Sequence, residues 1–151
     1  MRKGVKRTAL FYALNTLLPL AAGAAIYLTL RRDSYVGSFV GALLGLPERE
    51  SAAGPSGFSA FLRDHAADML WAYALAFAVC AVTGGGRRAR RAALCVCLGF
   101  AALVESAQLL GAFSGTFDPL DILLEALAIG LAFLFIHIFE EGKNEKNSEN
   151  H

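Results

Sequence analysis

The sequence predicts an all-α integral membrane protein, a four-helix bundle with a short glycine-striped interfacial or re-entrant helix in its first external loop. Apolar residues make up 56% of the 151 residues, and the mean hydropathy of +0.48 is well above that of soluble domains. The apolar residues are gathered in four runs, and the basic residues cluster beside those runs. The net charge of +1 gives no global field that would favour nucleic acid, so the lipid bilayer is the expected partner.

Four apolar segments have the length of membrane spans, and they cover about residues 8–30, 66–83, 92–110 and 119–139. A bilayer core of about 30 Å is crossed by about 20 residues of helix, which matches each segment. The segments predict one membrane domain over residues 1–139. The polar tail 140–151 lacks apolar anchors and is expected to be disordered.

A cleaved signal peptide is the alternative interpretation of the first segment, because the segment has a basic start and small residues over Ala21–Ala25. The apolar run continues to Leu30 before any charged residue. This run is longer than the core of a signal peptide, which has about 7–15 residues. A retained span is therefore the preferred interpretation.

The distribution of basic residues predicts one orientation in the membrane. Residues 1–7 carry four basic side chains and no acid, and the loop 84–91 carries four more without an acid. Because loops rich in Lys and Arg stay in the cytoplasm, both termini are expected to be cytoplasmic. The segment 31–65, with four basic and four acidic residues, is then external.

Glycines recur every four residues in this external segment, at Gly37, Gly41 and Gly45. On a helix they form one smooth stripe, and such stripes allow close helix contact in membranes. The preferred interpretation is an interfacial helix that packs on the protein's own spans. A homo-oligomer contact or a re-entrant element at a site is the alternative.

Polar residues interrupt the third and fourth segments and predict a site. Glu105 and Gln108 share one helix face, and Asp118, Asp121 and Glu125 share another. An antiparallel hairpin places Glu105 and Glu125 at similar depth. A charge at depth costs about 2.5–3.5 kcal/mol, so such acids usually face a bundle interior or a wet cavity. Small residues continue both faces, as expected for close helix packing.

Two of these acids also have a structural interpretation. Asp118 followed by Pro119 is a typical helix start, with the aspartate as N-cap and the proline as the first helical residue. Asp121 falls in the first turn, where the helix dipole favours an acid. Capping and ligand binding both remain open for these two residues.

The second segment contributes Asp68, followed by Trp71 and Tyr73. Asp68 is expected to join the carboxylates of the other two segments. The aromatic residues suit the membrane–water interface, and a place in the wall of the site is the alternative.

The sequence predicts no metal and no cofactor. Cys80, Cys95 and Cys97 lie inside spans without a CxxC motif, and no ligands have metal-site spacing. The glycines of the loop 84–91 lack the Lys-Ser/Thr of a phosphate loop.

Part of this pattern resembles the VanZ-like family of small bacterial membrane proteins. The resemblance covers about residues 62–135 and consists of Glu-x-x-Gln, a turn, and aromatic-Asp-x-x-Asp, preceded by Asp-x-x-Trp-x-Tyr. In this chain the matching residues are Glu105, Gln108, Phe117, Asp118 and Asp121, with Asp68, Trp71 and Tyr73 upstream. The chain departs from the pattern at residues 114–116, where many members have an arginine, and at Glu125, where many have an asparagine.

The resemblance implies a location in the bacterial plasma membrane and a link to the cell envelope and to glycopeptide (teicoplanin) resistance. The first hypothesis is therefore a protein that recognises a cell-wall precursor, lipid headgroup or glycopeptide through an outward-facing acidic pocket. A small membrane enzyme, or a proton- or cation-coupled transporter, would instead use the paired carboxylates. No nucleophile or histidine base accompanies them, which disfavours the enzyme. A structural or assembly protein is the third hypothesis.

Overall fold

A computed structural model describes residues 2–30, 42–43, 45, 57–84, 86–111 and 117–148 of the chain. Most of this part is helical, apart from short turns beside the helices, and the described residues form no strand. The elements in chain order are α1 (Arg2–Leu30), α2 (Phe58–Phe61), a π-helical segment (Leu62–Ala66), α3 (Ala67–Thr83), α4 (Arg87–Leu109) and α5 (Pro119–Ser148). The predicted all-α four-helix architecture is confirmed.

Four helices are long and apolar enough to cross a membrane, at Val5–Ile26, Asp64–Thr83, Arg87–Leu109 and Pro119–Lys143. The chain is therefore a multi-pass membrane protein whose environment is the lipid bilayer. Large apolar side chains cover the outside of the bundle, as expected where lipid replaces water. On α5 the exposed leucines are Leu120, Leu123, Leu127, Leu131 and Leu134.

Helix α3 is the centre of the bundle, because it packs against α1, α4 and α5. Its buried face consists mainly of alanines around Phe77, which is fully buried. The buried faces of α4 and α5 carry Cys97 and Ala101, and Ala128 and Ala132. These small residues continue the faces of Glu105 and Glu125, as the sequence predicts, and they bring the helices close together.

Glycines with positive φ end two of the helices. Gly84 (φ 78°) donates its backbone N–H to Cys80 O at 3.2 Å, and Gly111 (φ 69°) donates to Gln108 O at 2.9 Å. Both satisfy a carbonyl of the last turn, which residues with a Cβ do less readily in this conformation.

Helix α5 continues through residues 140–148, which the sequence analysis assigns to a disordered tail. Contacts of Glu140 with two other helices stabilise the start of this extension. The Tyr12 hydroxyl of α1 donates to Glu140 Oε1 at 3.1 Å, and Arg90 Nη1 of α4 lies 3.1 Å from Glu140 Oε2. Helix α4 begins at Arg87 rather than near residue 92, and the Arg90 N–H donates to Gly86 O in its first turn at 2.9 Å. Residues 149–151 lie outside the described part of the chain.

The predicted glycine-striped helix lies mostly outside the described residues, as do Gly37 and Gly41 themselves. Gly45 is described in a turn, with φ of 63° and its N–H 3.2 Å from Ala42 O.

Candidate functional site

Carboxylates from three helices meet at one end of the bundle. They are Asp68 at the start of α3, Glu105 near the end of α4, and Asp118, Asp121 and Glu125 at the start of α5. Glu105 interacts electrostatically with Asp68, Asp118 and Asp121, and Glu125 with Asp68, Asp121 and Glu105. We call these five residues the carboxylate cluster. The antiparallel arrangement of α4 and α5 produces it, as the sequence predicts.

Glu105 is the least exposed acid of the carboxylate cluster. Only 3% of its surface is accessible, and it is the one buried charged residue in the described part of the chain. The backbone N–H of Asp118 points at Glu105 Oε2 with an N···O distance of 3.5 Å, which is long for a hydrogen bond. A buried carboxylate held this weakly retains capacity to accept hydrogen bonds from a ligand.

Glu125 is half-buried, and it lies one turn after Asp121 on the same face of α5. Its Oε2 atom is fully buried and has no hydrogen-bond partner among the described residues. A buried acceptor without a donor costs about 1–3 kcal/mol, and it often marks a position where an ion, a water or a ligand binds.

His65 is a candidate site residue that the sequence prediction does not include. It lies within the π-helical segment, and its Nδ1 is 2.5 Å from Asp121 Oδ1 on α5. A π-helical turn changes the rotational phase of the residues after it, and such turns are frequent at functional sites. The sequence places His65 three residues before Asp68, but it carries no signal that His65 meets Asp121.

Asp118 caps α5, since its Oδ1 accepts the backbone N–H of Leu120 at 2.9 Å. Asp118, Asp121 and His65 each place one ligand atom within 4.8 Å of the other two. The sequence predicts no metal site, because no potential ligands have metal-site spacing. The structure brings these three together from two elements 56 residues apart.

Three further predicted site residues lie outside the carboxylate cluster or at its edge: Tyr73, Trp71 and Gln108. The Tyr73 hydroxyl donates to Asn15 Oδ1 of α1 at 3.0 Å, and its ring packs on Phe77. The Trp71 indole lies against Gly23 of α1 and is 43% exposed. Gln108 is half-buried one turn after Glu105. The two aromatic residues therefore join α3 to α1, while the carboxylates lie among α3, α4 and α5.

The arrangement suits cations. Five carboxylates and one imidazole offer many acceptors and few donors, and low dielectric at a membrane boundary strengthens their attraction for positive charge. The Lys and Arg side chains that the structure describes lie at the end of the bundle opposite to the carboxylate cluster, at the starts of α1 and α4 and at the end of α5.

The fold and the site define a multi-pass helical membrane protein with a partly buried carboxylate cluster at one end of its bundle. No family model, no curated protein and no solved structure matches the chain.

Proposed function

We propose that the carboxylate cluster faces the outside of the bacterial plasma membrane and recognises a cell-envelope ligand that presents an ammonium group. By this recognition the protein modulates the response of the envelope to antibiotics of the glycopeptide class, as a VanZ-like protein. Three sources share the required chemistry: an amino-group lipid headgroup, a cell-wall precursor with a free amine, and a glycopeptide such as teicoplanin.

The burial of Glu105 carries this proposal. A carboxylate that is 3% exposed within a span is costly, and an apolar residue at this position would stabilise the bundle more. Capping explains Asp118 but not Glu105, which lies inside α4 rather than at a helix start. The retained acid, surrounded by other acids, is therefore best explained by a positively charged ligand.

The cluster also lies at the membrane boundary, where such a ligand arrives. Asp118 and Asp121 are at the first turn of α5, and Glu105 is one turn before the end of α4. A headgroup amine at the interface reaches this level without crossing the hydrocarbon core. The excess of basic residues at the opposite ends of the helices supports an external position of the cluster.

Binding of named probes tests the proposal. The full-length protein is placed in nanodiscs, and a chelator is present throughout. Teicoplanin or a soluble lysine-containing stem peptide is added in increasing amounts. In a third series, the phosphatidylethanolamine content of the nanodisc is varied. We expect saturable binding of one probe, and Glu105→Gln should weaken it by at least about tenfold because a charge-assisted hydrogen bond is lost. The matched control Glu141→Gln changes an exposed acid at the other end of α5 and should bind as wild type. Binding of none of the three probes, or equal binding by Glu105→Gln, would overturn the proposal.

Single-cysteine labelling tests the orientation separately. In a background without Cys80, Cys95 and Cys97, one cysteine replaces exposed Phe117 beside the cluster or exposed Arg87 at the other end. A membrane-impermeant maleimide should label Phe117→Cys on intact cells, and Arg87→Cys only after permeabilisation. The reverse pattern would place the cluster in the cytoplasm.

A further inference from the structure

We propose that His65, Asp118 and Asp121 form a binding site for a divalent transition-metal ion at the mouth of the carboxylate cluster. One ligand atom of each residue lies within 4.8 Å of the other two. Ligands of one zinc ion stand about 2.0–2.2 Å from it, so any two of them are at most about 4.4 Å apart. In a tetrahedral site such ligands are about 3.3–3.6 Å apart, so side-chain rotations that move the ligand atoms by about an ångström would bring all three into coordination.

Two helices that pack together carry the three ligands. Asp118 is the N-cap of α5, and Asp121 follows three residues later on the same face. His65 belongs to the π-helical segment of the rod that continues into α3, and α3 packs directly against α5. Ligands on helices that pack together lose little freedom when the ion binds, which favours affinity.

The donor set identifies the class of metal. One imidazole nitrogen and two carboxylate oxygens suit Zn²⁺ and its neighbours such as Mn²⁺, whereas Mg²⁺ and Ca²⁺ prefer oxygen ligands alone. Two carboxylates neutralise the charge of a divalent ion. The ion and its two carboxylate ligands together are then close to electrically neutral, which lowers the free-energy cost of placing the ion at the edge of the lipid phase.

Glu125 supplies an independent observation. Its Oε2 is fully buried beside this group and has no hydrogen-bond partner among the described residues, although it is one turn from Asp121. Three protein ligands leave at least one coordination position for water. A water bound to the ion and directed toward Glu125 would supply the hydrogen bond that Oε2 lacks.

The test uses full-length protein in detergent, stripped with a chelator and then titrated with Zn²⁺ alone, with bound metal counted by mass spectrometry. We expect one Zn²⁺ per chain, a much weaker response to Mg²⁺, and affinity at least about tenfold lower in His65→Ala and in Asp121→Asn. The control His137→Ala removes an exposed histidine at the other end of α5 and should bind as wild type. Circular dichroism checks that each variant folds, and His65→Gln, which keeps a polar side chain of similar length, replaces any His65→Ala protein that does not.

Absence of saturable Zn²⁺ uptake by the wild type would overturn the inference. So would uptake that survives His65→Ala and Asp121→Asn unchanged, because the ion then binds elsewhere; its loss in His137→Ala would identify an adventitious surface histidine. The inference does not depend on the envelope ligand, since no probe amine is present in these titrations. The amine titrations contain a chelator, so either proposal can fail while the other stands.

Discussion

The indole ring of Trp71 occupies the space in which a side chain at position 23 would lie. A Cβ on Gly23 would come within 2.5 Å of Trp71 Nε1, 2.6 Å of Trp71 Cδ1 and 3.3 Å of the Ala67 carbonyl oxygen. Gly23 is buried in α1, and the missing side chain lets α1 approach α3 at the level of the ring. The close contact between these two spans therefore depends on a glycine.

Gly23→Ala should lower the free energy of unfolding by about 1–3 kcal/mol, the usual cost of an added methyl group in a packed interface. The matched control is Gly130→Ala in α5, where a Cβ would meet nothing within 4 Å. This control should be neutral or slightly stabilising, because alanine favours a helix more than glycine does. Thermal unfolding in one detergent measures both variants.

A double variant attributes the effect to the ring. In a Trp71→Ala background, Gly23→Ala should cost much less, because the two closest atoms belong to the indole. An equal cost in both backgrounds would mean that the Ala67 backbone, and not Trp71, limits the space.

Tyr12 and Glu140 join α1 to α5 at the end of the bundle opposite to the carboxylate cluster. The hydroxyl donates to a carboxylate that Arg90 also contacts, and the Phe11 ring stacks on Phe139 with centroids 3.7 Å apart. Tyr12→Phe should lower the free energy of unfolding by about 1–2 kcal/mol, because a hydrogen bond to a charged group is lost. The exposed His137–Glu141 pair gives the comparison, and Glu141→Gln should change stability by less than about 0.5 kcal/mol.

A double-mutant cycle tests whether this hydrogen bond accounts for the cost. Tyr12→Phe and Glu140→Ala, which removes the acceptor, should be coupled by about 1 kcal/mol in chemical or thermal unfolding. Independent, additive effects would show that the Tyr12 hydroxyl stabilises the protein through other groups.

The spans were predictable from the sequence because hydropathy and length act locally along the chain. Each of the four apolar runs must form a helix in lipid, where backbone groups have no other partner. The positions of Glu105 and Glu125 followed from helical spacing on two consecutive helices that only residues 110–118 separate in the chain. The extension of α5 to Ser148 did not follow, because it depends on contacts of Glu140 with residues of α1 and α4.

The approach of His65 to Asp121 was not predictable from spacing. These residues are 56 positions apart, and their contact depends on the packing of α3 against α5 and on the phase of a π-helical turn. The direction of Tyr73 also depends on packing, since its hydroxyl partner Asn15 lies in a different span. A periodicity argument assigns a residue to a face of its own helix but does not identify the helix opposite that face.

Glu125 should destabilise the protein when no ion or ligand is bound. Glu125→Gln replaces one carboxylate oxygen by an amide that donates to the neighbouring acids, and it removes a charge near Asp68, Glu105 and Asp121. In a chelator, this variant should raise the free energy of unfolding by about 1 kcal/mol, the order of the cost of one unsatisfied buried group. Glu141→Gln serves again as the exposed control, and a loss of stability in Glu125→Gln larger than in this control would contradict the prediction.

Substitutions of Asp118 distinguish its role as a helix cap from its role as a metal ligand. As N-cap, its Oδ1 accepts the Leu120 N–H at 2.9 Å, and asparagine caps a helix about as well as aspartate. Asp118→Asn should therefore keep the thermal stability of the wild type in a chelator, whereas Asp118→Ala should lower it by about 1 kcal/mol. Both variants should bind Zn²⁺ more weakly, because a neutral amide is a poorer ligand than a carboxylate and alanine offers none. If Asp118→Asn lost as much stability as Asp118→Ala, its charge and not its cap would stabilise α5. If Asp118→Asn kept full Zn²⁺ affinity, Asp118 would be a cap alone, and the metal site would have only His65 and Asp121 as ligands.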